Sequence, residues 1–198
     1  RLLKLLKDLG KEENTIIFFC SDNVPDDGLF RKGVASAGKL RGHKHQMYEG
    51  GIHVPSLMVW KGKLKEGSVC PERVGTVDYL PTILDLLDLH AINDRPIDGV
   101  SMVPVLAGKP ASKRTYPLAA GFMRLYDDLE TYSLIEGDYK ICIPVKRGKL
   151  EMYNLKKDPY ETTDISTKEP EIFNDLKEKL EAVKKSWLHS RDGGDYEW

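Results

Sequence analysis

The chain has 198 residues, 40% hydrophobic and 31% charged, which is enough to bury a core in one domain or in one domain with an appendage. Its 30 Lys and Arg against 31 Asp and Glu leave a formal net charge of −1, excluding a global attraction to nucleic acid or acidic membranes, so that any polyanion binding must be local. No run approaches the ~20 apolar residues of a membrane span. The three cysteines, Cys20, Cys70 and Cys142, form neither a metal pair nor a disulfide framework and read as buried free thiols.

Leu2, Leu3, Leu5, Leu6 and Leu9 predict an amphipathic helix stopped at Gly10, with no initiator Met, no capping residue and no apolar signal core before it. This start reads as a chain continued upstream. Thr15 to Cys20 is a β-branched and aromatic run expected as a buried strand, so a helix feeding a strand implies an α/β layer. Ser21 to Gly28 reads as a loop at the strand's C-terminal edge, where ligand sites of open α/β sheets gather. Gly33 to Gly51 is expected as a long irregular loop and Ile52 to Trp60 as a strand containing His53. Val77 to Leu89 predicts a helix capped by Asp78 with Pro81 in its first turn, followed over 90–121 by surface connection with one helical piece, Met102 to Leu106.

Beyond Thr131 the pattern changes. Tyr132 to Ile135, Tyr139 to Val145 and Leu150 to Tyr153 predict an antiparallel meander, and Ile172, Phe173, Leu176, Leu180, Val183 and Trp187 mark the buried stripe of a helix over Pro170 to Leu188. A helix on a small antiparallel sheet makes a second subdomain, so the expected organisation is residues 1–125 and 126–198.

Asp22 and Asn23 set a carboxylate and an amide oxygen side by side after a strand, which suits a hard cation and equally suits a turn. The run from Leu40 to Gly51 packs Arg41, His43, Lys44 and His45 among glycines: an anion cradle in which Lys44 supplies the ammonium and the glycines admit backbone close to an oxyanion, or else a solvated basic loop. His43, His45 and His53 lack zinc spacing, and His53 reads as structural.

Together these segments resemble the sulfatase family of the alkaline-phosphatase-like superfamily. The resemblance rests on Asn14-Thr-Ile-Ile-Phe-Phe-Cys-Ser-Asp-Asn23 and on Leu40-Arg-Gly-His-Lys-His-Gln-Met-Tyr-Glu-Gly-Gly-Ile-His-Val-Pro55. It is extended by Val77-Asp-Tyr-Leu-Pro-Thr-Ile-Leu84, Asp98-Gly-Val-Ser101 and Leu150-Glu-Met-Tyr-Asn-Leu-Lys-Lys-Asp-Pro-Tyr-Glu-Thr-Thr-Asp164, all in family order. The implied fold is α/β, the C-terminal part of an alkaline-phosphatase-like sandwich, plus a small antiparallel-sheet subdomain with a packed C-terminal helix.

By the same resemblance, Asp22 and Asn23 fall on Ca²⁺ ligands, with Mg²⁺ as the alternative, and Lys44 falls on the lysine that contacts the sulfate group. His43 and His45 are expected as substrate contacts, while Arg41, Glu49, Gly50 and Gly51 shape the loop. Val24 stands where the family usually has Gly. The formylglycine motif is absent: Cys70-Pro-Glu-Arg73 has the wrong spacing, and Cys142-Ile-Pro-Val-Lys146 has Lys for Arg and lies downstream of the ligands. The nucleophile, the remaining metal ligands and the leaving-group acid are therefore expected in an N-terminal half, and this chain alone is expected to be inactive. The implied activity is hydrolysis of sulfate esters, on glycans or small molecules, in a periplasmic or secreted enzyme. Alternatives are a phosphoric or phosphonic ester hydrolase of the same superfamily and a non-catalytic module binding sulfated glycans.

Overall fold

The computed structural model describes residues 1–92, 96–122 and 131–195. In chain order it contains α1 (Leu2–Asp8), β1 (Ile16–Cys20), α2 (Asp27–Arg31), α3 (Glu49–Ile52), β2 (Ser56–Trp60), α4 (Tyr79–Leu86) and α5 (Val103–Leu106). These are followed by β3 (Leu118–Phe122), β4 (Thr131–Glu136), β5 (Tyr139–Ile143), β6 (Glu151–Asn154) and α6 (Pro170–Arg191). They divide into two compact units, each discontinuous in sequence: Arg1–Asp22, Val54–Ile92 and Ile97–Thr115 in the first, and Asn23–His53, Asn93–Pro96 and Tyr116–Trp198 in the second. The expected boundary at 125/126 lies outside the described residues.

In the first unit β1 and β2 pair antiparallel, Phe18 opposite Met58. The strand read as buried is only half-covered, and Phe19, Leu57 and Val59 are exposed. Among the described residues of this unit only Asp78, Thr82 and Met102 are buried. Asp78 does cap, but for a short 3-10 turn before α4: its Oδ2 accepts the Gly75 N–H at 2.9 Å, and its Oδ1 accepts the Val100 N–H at 2.9 Å. Arg114 completes the shell with bidentate bonds of 2.8 and 2.6 Å. Burial alone would raise the Asp78 pKa, but Arg114 and the two N–H donors outweigh it and hold the carboxylate below its ordinary range. Of the cysteines, Cys142 is buried, as expected; Cys20 is half-buried and Cys70 exposed.

The second unit is built on the four-stranded antiparallel sheet β3-β4-β5-β6. The predicted meander is present, with one strand more: Leu118–Phe122, read as connection, pairs with β4. Side chains of a strand alternate between faces. Tyr132, Leu134, Ile141 and Met152 form one face and pack with Leu176 and Leu180 of α6, flanked by Ile172, Phe173, Val183 and Trp187. The predicted stripe of α6 is thus the stripe that packs. Pro170 opens the helix at N1 and His189 and Arg191 complement its negative C-terminal end.

The opposite face is covered too. Cys142 and Tyr153 pack there with Met47, Tyr48 and Leu155, so residues 47–52, which lie between β1 and β2 in sequence, roof the far side of the C-terminal sheet. Lys140 points to this face, between Ile135 and Tyr153 in the register, and is fully buried. Its Nζ lies 2.8 Å from Glu49 Oε1 and 2.9 Å from Glu161 Oε1. The first contact is an aligned hydrogen bond; the second is close but off-axis, leaving Glu161 Oε1 without one. Glu161 Oε2 accepts the Glu49 N–H at 2.6 Å.

One ammonium cannot neutralise two carboxylates, and their acidities separate. Burial works against the Glu49 anion, but His53, with Nδ1 3.3 Å away, and Lys140 outweigh it and hold Glu49 down to about 2. Burial dominates at Glu161, only partly opposed by Lys140, and raises its pKa.

Two predictions follow from this packing. Leu180→Ala should cost about 2 to 5 kcal/mol in chemical denaturation, as for other buried leucines, whereas exposed Glu178→Ala should be near neutral. A depressed folded-state pKa gives stability that is fully present above the ordinary Glu value of 4.5 and lost as pH falls towards about 2. The fall in unfolding free energy across that window should be shallower in Glu49→Gln than in the unmodified chain. Equal slopes would mean that Glu49 titrates normally. The raised Glu161 acts with the opposite sign, and above 4.5, so the two contributions separate by pH.

Candidate sulfate-binding loop and metal half-site

The segment Arg41–His53 leaves the sheet roof, turns through His43, Lys44 and His45, and returns as α3. The tight turn is closed by the Gln46 N–H on the His43 carbonyl at 3.0 Å, which puts His45 in the left-handed region at φ 74°. Two glycines make the return possible. A Cβ on Gly50 would sit 2.4 Å from the Arg41 carbonyl oxygen, and one on Gly51 would sit 1.9 Å from that of Gln46. Composition alone offered the glycines of this run to an approaching oxyanion, whereas the family resemblance gave Gly50 and Gly51 to shaping the loop; the second holds, because they admit the loop's own carbonyls.

Lys44 stands at the apex, half-buried, and its ammonium makes no hydrogen bond or ion pair among the described residues. Its N–H donates to the Pro25 carbonyl at 3.0 Å, which ties the lysine to the chain two residues beyond Asn23. His43 is half-buried, with Nδ1 3.0 Å from the Lys44 carbonyl and Nε2 3.7 Å from Asp27 Oδ1, so both ring nitrogens face protein groups. His45 is exposed and lays its ring on Phe122, centroids 4.5 Å apart at 51°. His53, expected within a strand, instead ends α3 and faces Glu49.

Asp22 and Asn23 occupy the bend directly after β1, Asp22 exposed and Asn23 half-buried. Asp22 closes the first unit and Asn23 opens the second. A carboxylate and an amide oxygen are the donors a hard divalent cation takes, so the donor chemistry fits Ca²⁺ or Mg²⁺. Among the described residues no three His, Cys, Asp or Glu side chains converge. Two oxygens would fill only a minor part of a shell of about 6 to 8. Cys142, buried against the sheet, has its thiol pushed up to about 12, which makes it a poor nucleophile at neutral pH.

Arg41, expected to shape the loop, does so through residues that were not singled out from sequence. Arg41 donates to the Glu161 carbonyl at 2.7 Å and to the Tyr153 hydroxyl at 3.2 Å, and its guanidinium lies 3.9 Å above the Tyr48 ring. Tyr48 and Tyr153 both donate to Glu151 Oε2, at 3.1 and 2.5 Å. Alternation gives Lys140 the face opposite Tyr139 and Ile141, which in a half-buried sheet is the solvent face, so nothing local marked it. Glu161 carried one signal, its place in the Asp158-Pro-Tyr-Glu161 stretch.

Residues 1–89 match the family model described as Sulfatase. The uncharacterized sulfatase YdeN of Escherichia coli is 27% identical over 89% of this chain and 36% of its own length. The N-acetylgalactosamine-6-O-sulfatase of Bacteroides thetaiotaomicron is 26% identical over 92% of this chain and 39% of its own length. In fold, the crystal structure of Ps i-CgsB superposes with a TM-score of 0.80 at 22% identity, covering 92% of this chain and 39% of that one. The chain therefore spans less than two-fifths of the length of these relatives. Residues 1–89 are thus similar to the sulfatase family, and two relatives named as sulfatases are similar to the chain over 89% and 92% of its length.

Proposed function

We propose that this chain is the C-terminal portion of a sulfatase that hydrolyses sulfate esters on sugars, and that it carries the sulfate-contacting lysine and two ligands of a divalent cation. The single observation that carries this reading is Lys44. An ammonium without a protein partner among the described residues stands at the apex of a braced loop, its backbone bonded to Pro25 beside Asn23. The apolar surface of the first unit supports the same reading. Leu2, Leu3, Leu5, Phe19, Leu57 and Val59 are exposed in an α/β layer with almost no core of its own, as a portion of a larger domain would leave them.

In this proposal Asp22 and Asn23 hold Ca²⁺, or Mg²⁺, together with ligands from an N-terminal portion that also bears a formylglycine nucleophile. The cation, when bound, supplies charge to the sulfuryl oxygens. Lys44 donates hydrogen bonds to those oxygens as negative charge redistributes on them. The sugar substrate is inferred from the relative named for N-acetylgalactosamine-6-O-sulfate and from Ps i-CgsB, which was also crystallised with k-i-k-neocarrahexaose. His43 and His45 flank Lys44 and would meet the sugar rim. No helix among the described residues is long and apolar enough to cross a membrane. A periplasmic or secreted enzyme is proposed from the bacterial glycan sulfatase among the relatives.

The test is an assay of the complete polypeptide on sulfate and phosphate monoesters. Hydrolysis of the sulfate ester is expected, and Lys44→Ala should lower its kcat/KM by about 10²-fold, the cost of removing a donor aimed at developing charge. Lys44→Arg should restore only part of the loss, because a planar guanidinium places its donors differently. Preference for the phosphate ester would favour a phosphoric ester hydrolase. A Lys44→Ala enzyme with near-normal kcat/KM would remove Lys44 from the site.

A further inference from the structure

Glu161 touches the Lys44 loop at both of its ends. Its backbone carbonyl accepts from Arg41, three residues before Lys44, at 2.7 Å. Its carboxylate accepts the backbone N–H of Glu49, five residues after Lys44, at 2.6 Å. The same carboxylate lies 2.9 Å from Lys140 Nζ, whose other contact is the Glu49 side chain. A single residue, 120 positions from Arg41 and 112 from Glu49, thus closes the base of the loop.

Glu161 is fully buried and sits at φ 55°, a conformation that a non-glycine residue takes at a cost and keeps only where its surroundings enforce it. A buried carboxylate sharing one ammonium with a second carboxylate is also a poor device for stability alone. What this arrangement does accomplish is geometric. The loop has no regular secondary structure between Arg41 and α3, and its apex could otherwise shift with each of its legs.

We propose that Glu161 is a positioning residue for Lys44, fastening the two legs of the loop to the C-terminal sheet so that the ammonium is held at a fixed place. The inference rests on the role proposed for Lys44. Glu161 itself touches no substrate: its side chain is directed at Glu49 and Lys140 within the second unit. Burial raises the pKa of its carboxyl, in keeping with such a setting.

A double-mutant cycle in the complete polypeptide tests this, with Glu161→Ala, Lys44→Ala and both together assayed on a small aryl sulfate. Glu161→Ala should lower kcat/KM by about 10-fold or more, since displacing a catalytic donor by an ångström has effects of this size or larger. In the Lys44→Ala background the same change should add less than about twofold, because residues that act through one another are not additive. Glu161→Gln keeps an oxygen for the Glu49 N–H and should recover most of the activity. A merely structural role predicts equal factors in both backgrounds, and that result would overturn the proposal. If Glu161→Ala does not fold, Glu161→Asp, which keeps the charge and loses reach, replaces it in the cycle.

Amide hydrogen exchange separates this inference from the reading it rests on. In the Glu161 variant the N–H groups of Lys44, Met47 and Gly50 should lose protection while those of β4 and β5 keep it. Should Lys44→Ala leave turnover intact, the proposed function of Lys44 is wrong, and the exchange result alone decides whether Glu161 braces the loop. Unchanged protection at those three amides would sink the bracing whatever the kinetics.

Discussion

An ammonium with no access to water stands in the middle of the C-terminal sheet, and much of the second unit can be read as the consequence. Lys140 would pay a desolvation cost of several kcal/mol if left alone there, so carboxylates must come to it. They come from two places far apart in sequence, Glu49 and Glu161. Glu49 begins α3, and drawing it to Lys140 pulls residues 47–52 down over Cys142 and Tyr153 as the sheet's second cover. Glu161 follows the last strand and brings its carbonyl to Arg41. The loop bearing Lys44 is what remains between these two fixed points.

This places a rigid base under an open tip. Around the base the contacts are redundant: Arg41 on Glu161, Tyr153 and the Tyr48 ring, the buried Glu49 on Lys140 and Glu161, and the Met47 N–H on the Pro144 carbonyl at 2.9 Å. At the tip Lys44 offers its charge without a partner among the described residues, and His45 accepts a left-handed backbone to let the chain turn. Pre-organised donors carry catalysis only when their supports do not move, so the structural charge buried a few residues away suits the role proposed for Lys44.

The two units differ in how they reach stability. The second has a core on both faces of its sheet, aliphatic and aromatic against α6 and mixed apolar and ionic under the loop. The first organises itself around a polar centre, Asp78 with Arg114, Gly75 and Val100, while its leucines and valines stay largely exposed. Unsatisfied apolar area of this kind fits the finding that relatives are more than twice as long as this chain.

Much of the local structure was legible in the residues. The leucine repeat gave α1, the β-branched run gave β1, the alternation after Thr131 gave β4 to β6, and the three-four spacing gave α6 with the stripe that packs. Each of these is a short-range periodicity imposed by helix or strand geometry. The ordered motifs pointed to a resemblance to the sulfatase family, and by that resemblance Asp22, Asn23 and Lys44 are the residues proposed for the site. What the sequence could not determine is which face of the sheet would be covered and by what. Lys140 alternates with apolar neighbours and reads as solvent-facing, and only the arrival of a segment about 90 residues away buries it. In the same way, the close approach required at Gly50 and Gly51 is to carbonyls of their own loop, a distance defined once the chain has turned back on itself. Periodicity is a property of neighbours along the chain, whereas burial, charge pairing and close approach belong to neighbours in space, and tertiary structure alone decides who those are.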